Sequence, residues 1–206
     1  MRDTATAPPD FEPASRSLTS LVLGVTDQQL TAPTPCAGWV VGDLLDHLVG
    51  LTIAFRMAAE KAPDGAPGGP GISTMANLDP EWRTVLPEQL DQLAAAWRVP
   101  SAWTGEAAAG GVVLPAEVMG LFALNEVLVH GWDLARATGQ AYDIDPQAVE
   151  WVHGLVSQQA SSEGSPGLFG PLVPVPAEAA LLDRVVGLTG RDPAWTAPVA
   201  SWPEPA

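Results

Sequence analysis

The chain of 206 residues is long enough for one domain with a substantial core, and its hydrophobic content of 47% excludes a disordered chain. Nine basic against 24 acidic residues give a formal charge of -15, which repels nucleic acids and anionic membrane surfaces but does not exclude a small anionic ligand. A single cysteine excludes an intramolecular disulfide, and because no segment resembles a signal peptide or a membrane span, we expect a soluble cytoplasmic protein.

The chain divides by composition into an N-terminal arm, one helical domain and a C-terminal tail. Residues 1–13 contain three prolines and little periodicity, which is typical of a flexible arm, and residues 195–206 have the composition of a tail. We therefore assign the domain to residues 14–194. Apolar residues spaced three and four apart predict its helices at residues 14–30, 40–61, 80–98, 115–139, 145–159 and 177–189.

Two segments rich in glycine, proline or small residues interrupt the helical pattern. APDGAPGGPG at residues 62–71 predicts a surface loop, and residues 99–113 predict a second one. Within the third helix, Pro87 is expected to cause a kink or a break. Because no alternating strand pattern or internal repeat is present, the predicted class is all-α, with a four-helix bundle followed by short C-terminal helices.

The fourth predicted helix contains the segment ALNEVLVHGWDLARATG, in which Glu126 and His130 lie one turn apart on an apolar stripe. Its opposite side is also apolar, and a helix that is apolar nearly all round is normally enclosed by protein. An ionised carboxylate enclosed in that way is costly unless it is paired or neutralised. The interior Gly131 indicates close packing against a neighbouring element.

Three interpretations of Glu126 and His130 are open on this helix alone. The two side chains can form a structural pair, or each can be satisfied by groups from other helices. They can bind a divalent metal, because side chains four residues apart converge and both carboxylate and neutral imidazole are good zinc ligands. They can also act as an acid and base pair without a metal.

A second histidine, His47, favours the metal interpretation. It is the only polar residue on the apolar stripe of the second helix, and the inward stripes of a bundle meet in the core. Two histidines and a glutamate complete the three-ligand set of catalytic zinc sites, which leaves one coordination position for water or substrate. Asp43 and Asp46 can orient the ligands, although exposed helix carboxylates are the commoner explanation.

The remaining reactive side chains carry weaker signals. His153 is predicted to be a surface or half-buried residue rather than a ligand, and Cys36 to be a small buried hydrophobe rather than a reactive thiol. Asp133 and Arg136, three residues apart on the fourth helix, predict a surface ion pair, with an anionic ligand at Arg136 as the alternative.

Three segments carry a family resemblance: TPCAGWVVGDLLDHLVG, NEVLVHGWDLARATGQ and FGPLVPVPAEAALLDRVVGLTGRDP. In this order they resemble the DinB-like metal-binding four-helix-bundle proteins, in the actinobacterial branch related to mycothiol-dependent maleylpyruvate isomerase. The resemblance covers residues 14–194 and implies a divalent metal, commonly zinc, held by His47, Glu126 and His130. It also implies a low-molecular-weight thiol, such as mycothiol or bacillithiol, that the metal binds and deprotonates.

The resemblance is more specific to the fold than to an activity. The isomerase carries a further C-terminal domain, and we expect this chain to be too short for one, so thiol S-transfer is as compatible with it as isomerisation. Two other hypotheses are open: an enzyme of secondary metabolism repurposed for a cyclisation or rearrangement, with the metal retained or lost, and a non-catalytic metal-binding or stress protein. The expected partner is a small-molecule substrate or thiol, with no nucleic acid and no membrane, and a homodimer is left open.

Overall fold

The computed structural model describes residues 7–62, 72–165 and 168–198, so the predicted 62–71 loop, apart from its first residue, lies outside the described residues. The described residues form six α-helices and one β-hairpin, which confirms the predicted helical class. The elements are α1 (Glu12–Gly24), α2 (Val41–Ala59), α3 (Trp82–Trp97), β1 (Glu106–Ala109), β2 (Val112–Pro115), α4 (Ala116–Thr138), α5 (Pro146–Gln159) and α6 (Leu181–Leu188).

The first four helices form the bundle that the apolar periodicity predicts. Helices α1 and α2 each pack against both α3 and α4, which closes a ring of four helices around one core. Helix α5 packs on the outer side of α4, and α6 packs against α5. The fully buried leucines of the core come from all four bundle helices and include Leu18, Leu44, Leu48, Leu90, Leu124 and Leu128.

No helix in the described part of the chain combines the length and the apolar character needed to cross a membrane. Helix α4 is the longest, with 23 residues, and it is buried along most of its circumference, as its composition predicts. The helix is followed by Gly139, which adopts a left-handed conformation with φ of 71° and caps its C-terminus, at the end of the predicted span.

The predicted loop at residues 99–113 is wrong in part, because it contains most of a β-hairpin. Strands β1 and β2 pair antiparallel from Glu106 opposite Pro115 to Ala109 opposite Val112. Gly110 and Gly111 form the turn with positive φ angles of 58° and 79°, which two-residue hairpin turns favour. Each strand has four residues and β1 is rich in alanine, so the pattern is too short and too weak to stand out in the sequence.

Several predicted boundaries also differ from the structure. Helix α1 begins inside the predicted arm, where the buried Phe11 stacks on Trp97, and it ends at Gly24 rather than at residue 30. Residues 27–29 form a separate turn of 3-10 helix. Helix α3 stays continuous through Pro87, and the last helix begins at Leu181 rather than at residue 177.

Candidate metal centre

The packing of α2 against α4 brings together the three residues that the sequence singles out. One ligand atom from each of His47, Glu126 and His130 lies within 4.8 Å of the other two. The Oε2 atom of Glu126 lies 3.1 Å from Nε2 of His130 and 3.4 Å from Nε2 of His47. Two helices therefore present one oxygen and two nitrogens to a common point.

The local sequence explains this convergence. Glu126 and His130 are four residues apart on α4, so their side chains stack on the same face of the helix. His47 projects from α2 beside the fully buried Leu44 and Leu48, which anchor that face of α2 in the core. Core packing thus sets the distance between the two helices, and the polar residues occupy positions that the apolar stripes define.

The site is more open than the sequence predicts. The side chain of His130 is only 8% exposed, but those of His47 and Glu126 are 27% and 23% exposed. One side of the cluster therefore faces solvent, which differs from the enclosed carboxylate expected from an α4 that is apolar nearly all round. A closed structural metal site leaves no such opening, whereas a catalytic site keeps one coordination position accessible.

Asp133 contacts the buried His130 at Nδ1, the ring nitrogen that does not face Glu126. Its Oδ2 atom lies 2.9 Å from Nδ1 of His130, and its side chain is fully buried. Arg191, from the segment that follows α6, donates to both oxygens of this carboxylate at distances of 2.9 Å and 3.3 Å. The pairing keeps Asp133 ionised: burial alone would raise its pKa, but the charges and hydrogen bonds of Arg191 and His130 together lower it below the usual value.

The predicted surface pair between Asp133 and Arg136 is therefore wrong. Arg136 instead donates to the backbone carbonyls of Pro193 and Trp195, and Asp133 points into the protein toward His130. The sequence reading missed Arg191 altogether. Its only signal is an arginine just after the last helix, 58 residues from its partner, and spacing rules do not reach that far.

His47 has a weaker second partner. Its Nδ1 atom lies 3.3 Å from the hydroxyl oxygen of Ser73, in the segment that leads to α3. Asp43 and Asp46 form no hydrogen bond with either histidine among the described residues: they accept hydrogen bonds from the backbone N–H groups of Met75 and Thr74. The two aspartates therefore match neither the orienting role nor the commoner explanation of exposed helix carboxylates, since both are half-buried and fix the segment beside the site.

The loop before α2 covers another side of the cluster. The ring of Trp39 contacts His47 edge-on, with ring centroids 4.9 Å apart, and stacks over His130 at 6.2 Å. Cys36 lies in the same loop, half-buried, and burial is the main reason that the pKa of its thiol rises to about 11. A thiol with so high a pKa is mostly protonated near neutrality, in agreement with an unreactive Cys36.

The electrostatics of the cluster favour a bound cation. Burial alone would raise the pKa of Glu126, but the charge of His130 and hydrogen bonds from both histidines hold it well below its usual range. Burial would likewise lower the pKa of His130, yet the neighbouring Glu126 and Asp133 raise it to about 9. A carboxylate that stays ionised next to a histidine that holds positive charge is the pattern expected where a proton can be exchanged for a metal ion.

The donor set fits a divalent metal on two counts. The ionised Asp133 can only accept, so His130 donates from Nδ1. Without a proton or a metal on Nε2, the lone pair of that nitrogen would face the carboxylate of Glu126 at 3.1 Å, with two acceptors in contact. Zinc ligands at about 2.0–2.2 Å from the ion lie about 3.3–3.6 Å apart in a tetrahedral site. The observed separations of 3.1 Å and 3.4 Å are close to that spacing.

The family model described as the mycothiol maleylpyruvate isomerase N-terminal domain matches residues 11–135. The chain belongs to this family. The match confirms the resemblance drawn from the three sequence segments, and it includes all three residues of the candidate metal centre. Arg191, which secures Asp133, lies beyond the end of the matched region.

Two curated relatives come from Mycobacterium tuberculosis: the uncharacterized protein MT0763 of strain CDC 1551 / Oshkosh and the uncharacterized protein Rv0738 of strain ATCC 25618 / H37Rv. Each is 31% identical to this chain over 194 residues, and each alignment covers 86% of this chain and 93% of the relative. The likeness therefore extends well beyond the region that the family model matches.

Among solved structures, the mycothiol-dependent maleylpyruvate isomerase has the same fold, with a TM-score of 0.62 at 19% identity. A histidine-to-alanine mutant of that isomerase gives a TM-score of 0.61 at 18% identity. Each alignment covers 88% of this chain and 86% of the isomerase chain. We expected this chain to be too short for the C-terminal domain of the isomerase. The alignments do not support that expectation, because they extend over most of the isomerase chain.

Proposed function

We propose that this protein binds a divalent metal, with zinc as the first candidate, and uses it to activate a low-molecular-weight thiol of the mycothiol type. The activated thiol would serve S-transfer or isomerisation of a small molecule. The observation that carries the proposal is the convergence of one atom from each of His47, Glu126 and His130 within 4.8 Å, on a side of the bundle open to solvent. Membership of a family described by mycothiol supports the choice of thiol.

The charge of the donor set suits an anionic sulfur ligand. One carboxylate and two neutral imidazoles leave a net positive charge on a bound divalent ion, and such an ion lowers the pKa of a coordinated thiol until it is deprotonated at neutral pH. Glu126 supplies the single negative charge of the set, and its low pKa keeps that charge in place. No further acidic residue belongs to the cluster within the described residues.

The surrounding residues orient the ligands and limit access. Asp133 fixes His130 with Nε2 directed at Glu126, and Ser73 restrains His47 in the same way but more weakly. Trp39 lies against both histidine rings and leaves the exposed faces of His47 and Glu126 as the approach for a ligand. This opening supports an enzyme over a protein whose metal is only structural.

Metal analysis of the purified protein is the first test. Wild-type protein prepared without a chelator should contain close to one divalent ion per chain, and the His130→Ala variant should lose it. His153→Ala is the matched control, because this third histidine of the chain contacts Ser157 and Arg184 and lies outside the cluster. Wild-type protein that takes up no divalent ion when supplied with one would refute the proposal.

A cobalt-substituted sample tests the thiol separately. Cobalt(II) reports its ligands by visible absorption, and added mycothiol should produce a sulfur-to-cobalt charge-transfer band that saturates with concentration. The oxygen analogue, in which a hydroxyl replaces the thiol, should produce none. Metal binding without this band would contradict the thiol role and would favour the hypothesis of a non-catalytic metal-binding protein. The cytoplasmic location and the homodimer stay predictions from the sequence.

A further inference from the structure

A second concave site lies outside the metal centre, between α5, α6 and the extended chain before α6. The cleft has a volume of about 320 Å³, and none of the residues that line it belongs to the metal cluster. Ligand pockets in proteins occupy about 300–1,000 Å³, so the cleft lies at the small end of that range. Its size suits a ligand of a few non-hydrogen atoms and not a large cofactor.

One wall of the cleft carries His153 and two polar side chains that each contact it. The Nη2 atom of Arg184 lies 3.1 Å from Nε2 of His153, and the hydroxyl of Ser157 lies 3.4 Å from the same nitrogen. A guanidinium group can only donate, so Nε2 of His153 accepts and its ring is neutral. Burial and the nearby charge of Arg184 both lower the pKa of His153, in agreement with this assignment.

Arg184 carries a positive charge without a carboxylate partner among the described residues. Within the described residues, the guanidinium group of Arg184 hydrogen-bonds to His153, and most of its N–H groups remain available to another acceptor. The arginines that do pair with carboxylates in the described residues are Arg16, Arg56, Arg83, Arg98 and Arg191. In a chain with a formal charge of -15, an unpaired arginine on the wall of a cleft creates a local site for an anion.

The other walls of the cleft are apolar. Leu172 and Val175 of the extended segment and Leu188 of α6 line it, and the side chain of Leu172 is among the exposed large hydrophobic groups of the protein. A bare inorganic anion would leave this apolar surface in contact with water. A ligand with both an anionic group and a short apolar part would cover it and gain hydrophobic stabilisation.

We propose that this cleft binds a small monocarboxylate with an aliphatic or aromatic tail. The carboxylate accepts charge-assisted hydrogen bonds from Arg184, with Ser157 and His153 beside it, and the tail packs on Leu172 and Leu188. The proposal does not depend on the metal centre or on the thiol chemistry proposed for it.

The three histidines of the chain make proton NMR a direct test on the full-length protein. Titration with hexanoate should shift the imidazole signals of His153 in a saturable manner and leave those of His47 and His130 in place. Hexan-1-ol, which keeps the tail, and inorganic phosphate, which keeps the negative charge, should each bind at least tenfold more weakly, about 1.4 kcal/mol or more.

Two variants complete the test. Arg184→Gln should weaken hexanoate binding at least tenfold, because it removes the charge and the guanidinium donors but keeps a polar side chain. Arg16→Gln is the matched control at an exposed arginine on α1 outside the cleft and should bind hexanoate as the wild type does. Equal affinity in Arg184→Gln, equal binding of hexan-1-ol or phosphate, or shifts confined to His47 and His130 would each overturn the proposal.

Discussion

Replacing Asp133 by asparagine tests how the protein orients the buried ligand His130. The asparagine has the shape of the aspartate but no charge, and its single side-chain oxygen can accept from His130 or from Arg191 but not fully from both. The amide NH2 group would then face one of two N–H donors. We expect the variant to lose both metal affinity and stability, for two different reasons.

The loss of metal affinity follows from the contact at 2.9 Å between Asp133 and Nδ1 of His130. A carboxylate in this position raises the basicity of the imidazole and holds its orientation, and removal of such a partner costs about 10- to 100-fold in metal affinity. That loss corresponds to about 1.4–2.7 kcal/mol of binding free energy.

The loss of stability follows from Arg191, whose side chain is only 12% exposed. Removal of one partner from a buried ion pair costs about 3–5 kcal/mol, because the other charge stays in the protein without compensation. The remaining oxygen of asparagine still accepts one hydrogen bond, so we expect the lower end of that range. Further replacement of Arg191 by glutamine should restore part of the stability of Asp133→Asn but not its metal affinity.

The assay compares zinc affinity, from competition with a chromophoric chelator, and the free energy of unfolding of the metal-free protein in urea. Asp27→Asn is the control, because Asp27 pairs with Arg83 and neither residue belongs to the cluster. This control should change stability by less than about 1 kcal/mol, as expected for an exposed ion pair, and leave zinc affinity unchanged. If the wild type binds zinc and Asp133→Asn binds it equally well, the orienting role argued for Asp133 is wrong.

Four further outcomes are expected. Gly131→Ala should lower the free energy of unfolding in urea by about 1–3 kcal/mol, because its methyl group would lie 2.6 Å from the hydroxyl of Tyr142. Gly154→Ala should instead stabilise α5 by up to about 1 kcal/mol, because no atom lies within 4 Å of the added methyl group. Alkylation of Cys36 by iodoacetamide should rise about tenfold per pH unit from neutrality toward its pKa of about 11, because only the thiolate reacts, and a rate that is already constant above neutrality would contradict the raised pKa. Ser73→Ala should reduce zinc affinity less than Asp133→Asn, because its 3.3 Å contact is neutral and half-exposed, and an equal or larger loss would count against this ranking of the two contacts.

Local patterns were sufficient to predict the bundle and the candidate ligands. The apolar stripes of α2 and α4 mark which residues face the core, and a histidine or glutamate on such a stripe is conspicuous because an uncompensated polar group there is costly. The same reasoning predicted close packing at Gly131, where the structure places the ring of Tyr142. Burial of a helix face is a local property of the sequence, so it can be read without a structure.

The partners of the buried groups could not be read in that way. The spacing rule paired Asp133 with the nearby Arg136, yet the structure pairs it with Arg191, and it pairs His47 with Ser73 rather than with the adjacent aspartates. The spacing of side chains along a helix indicates which face they share, but any segment of the chain can supply the group that compensates a buried charge. The sequence by itself therefore determined the helices and the three candidate ligands, while only the tertiary structure decided their partners and left the centre open to solvent.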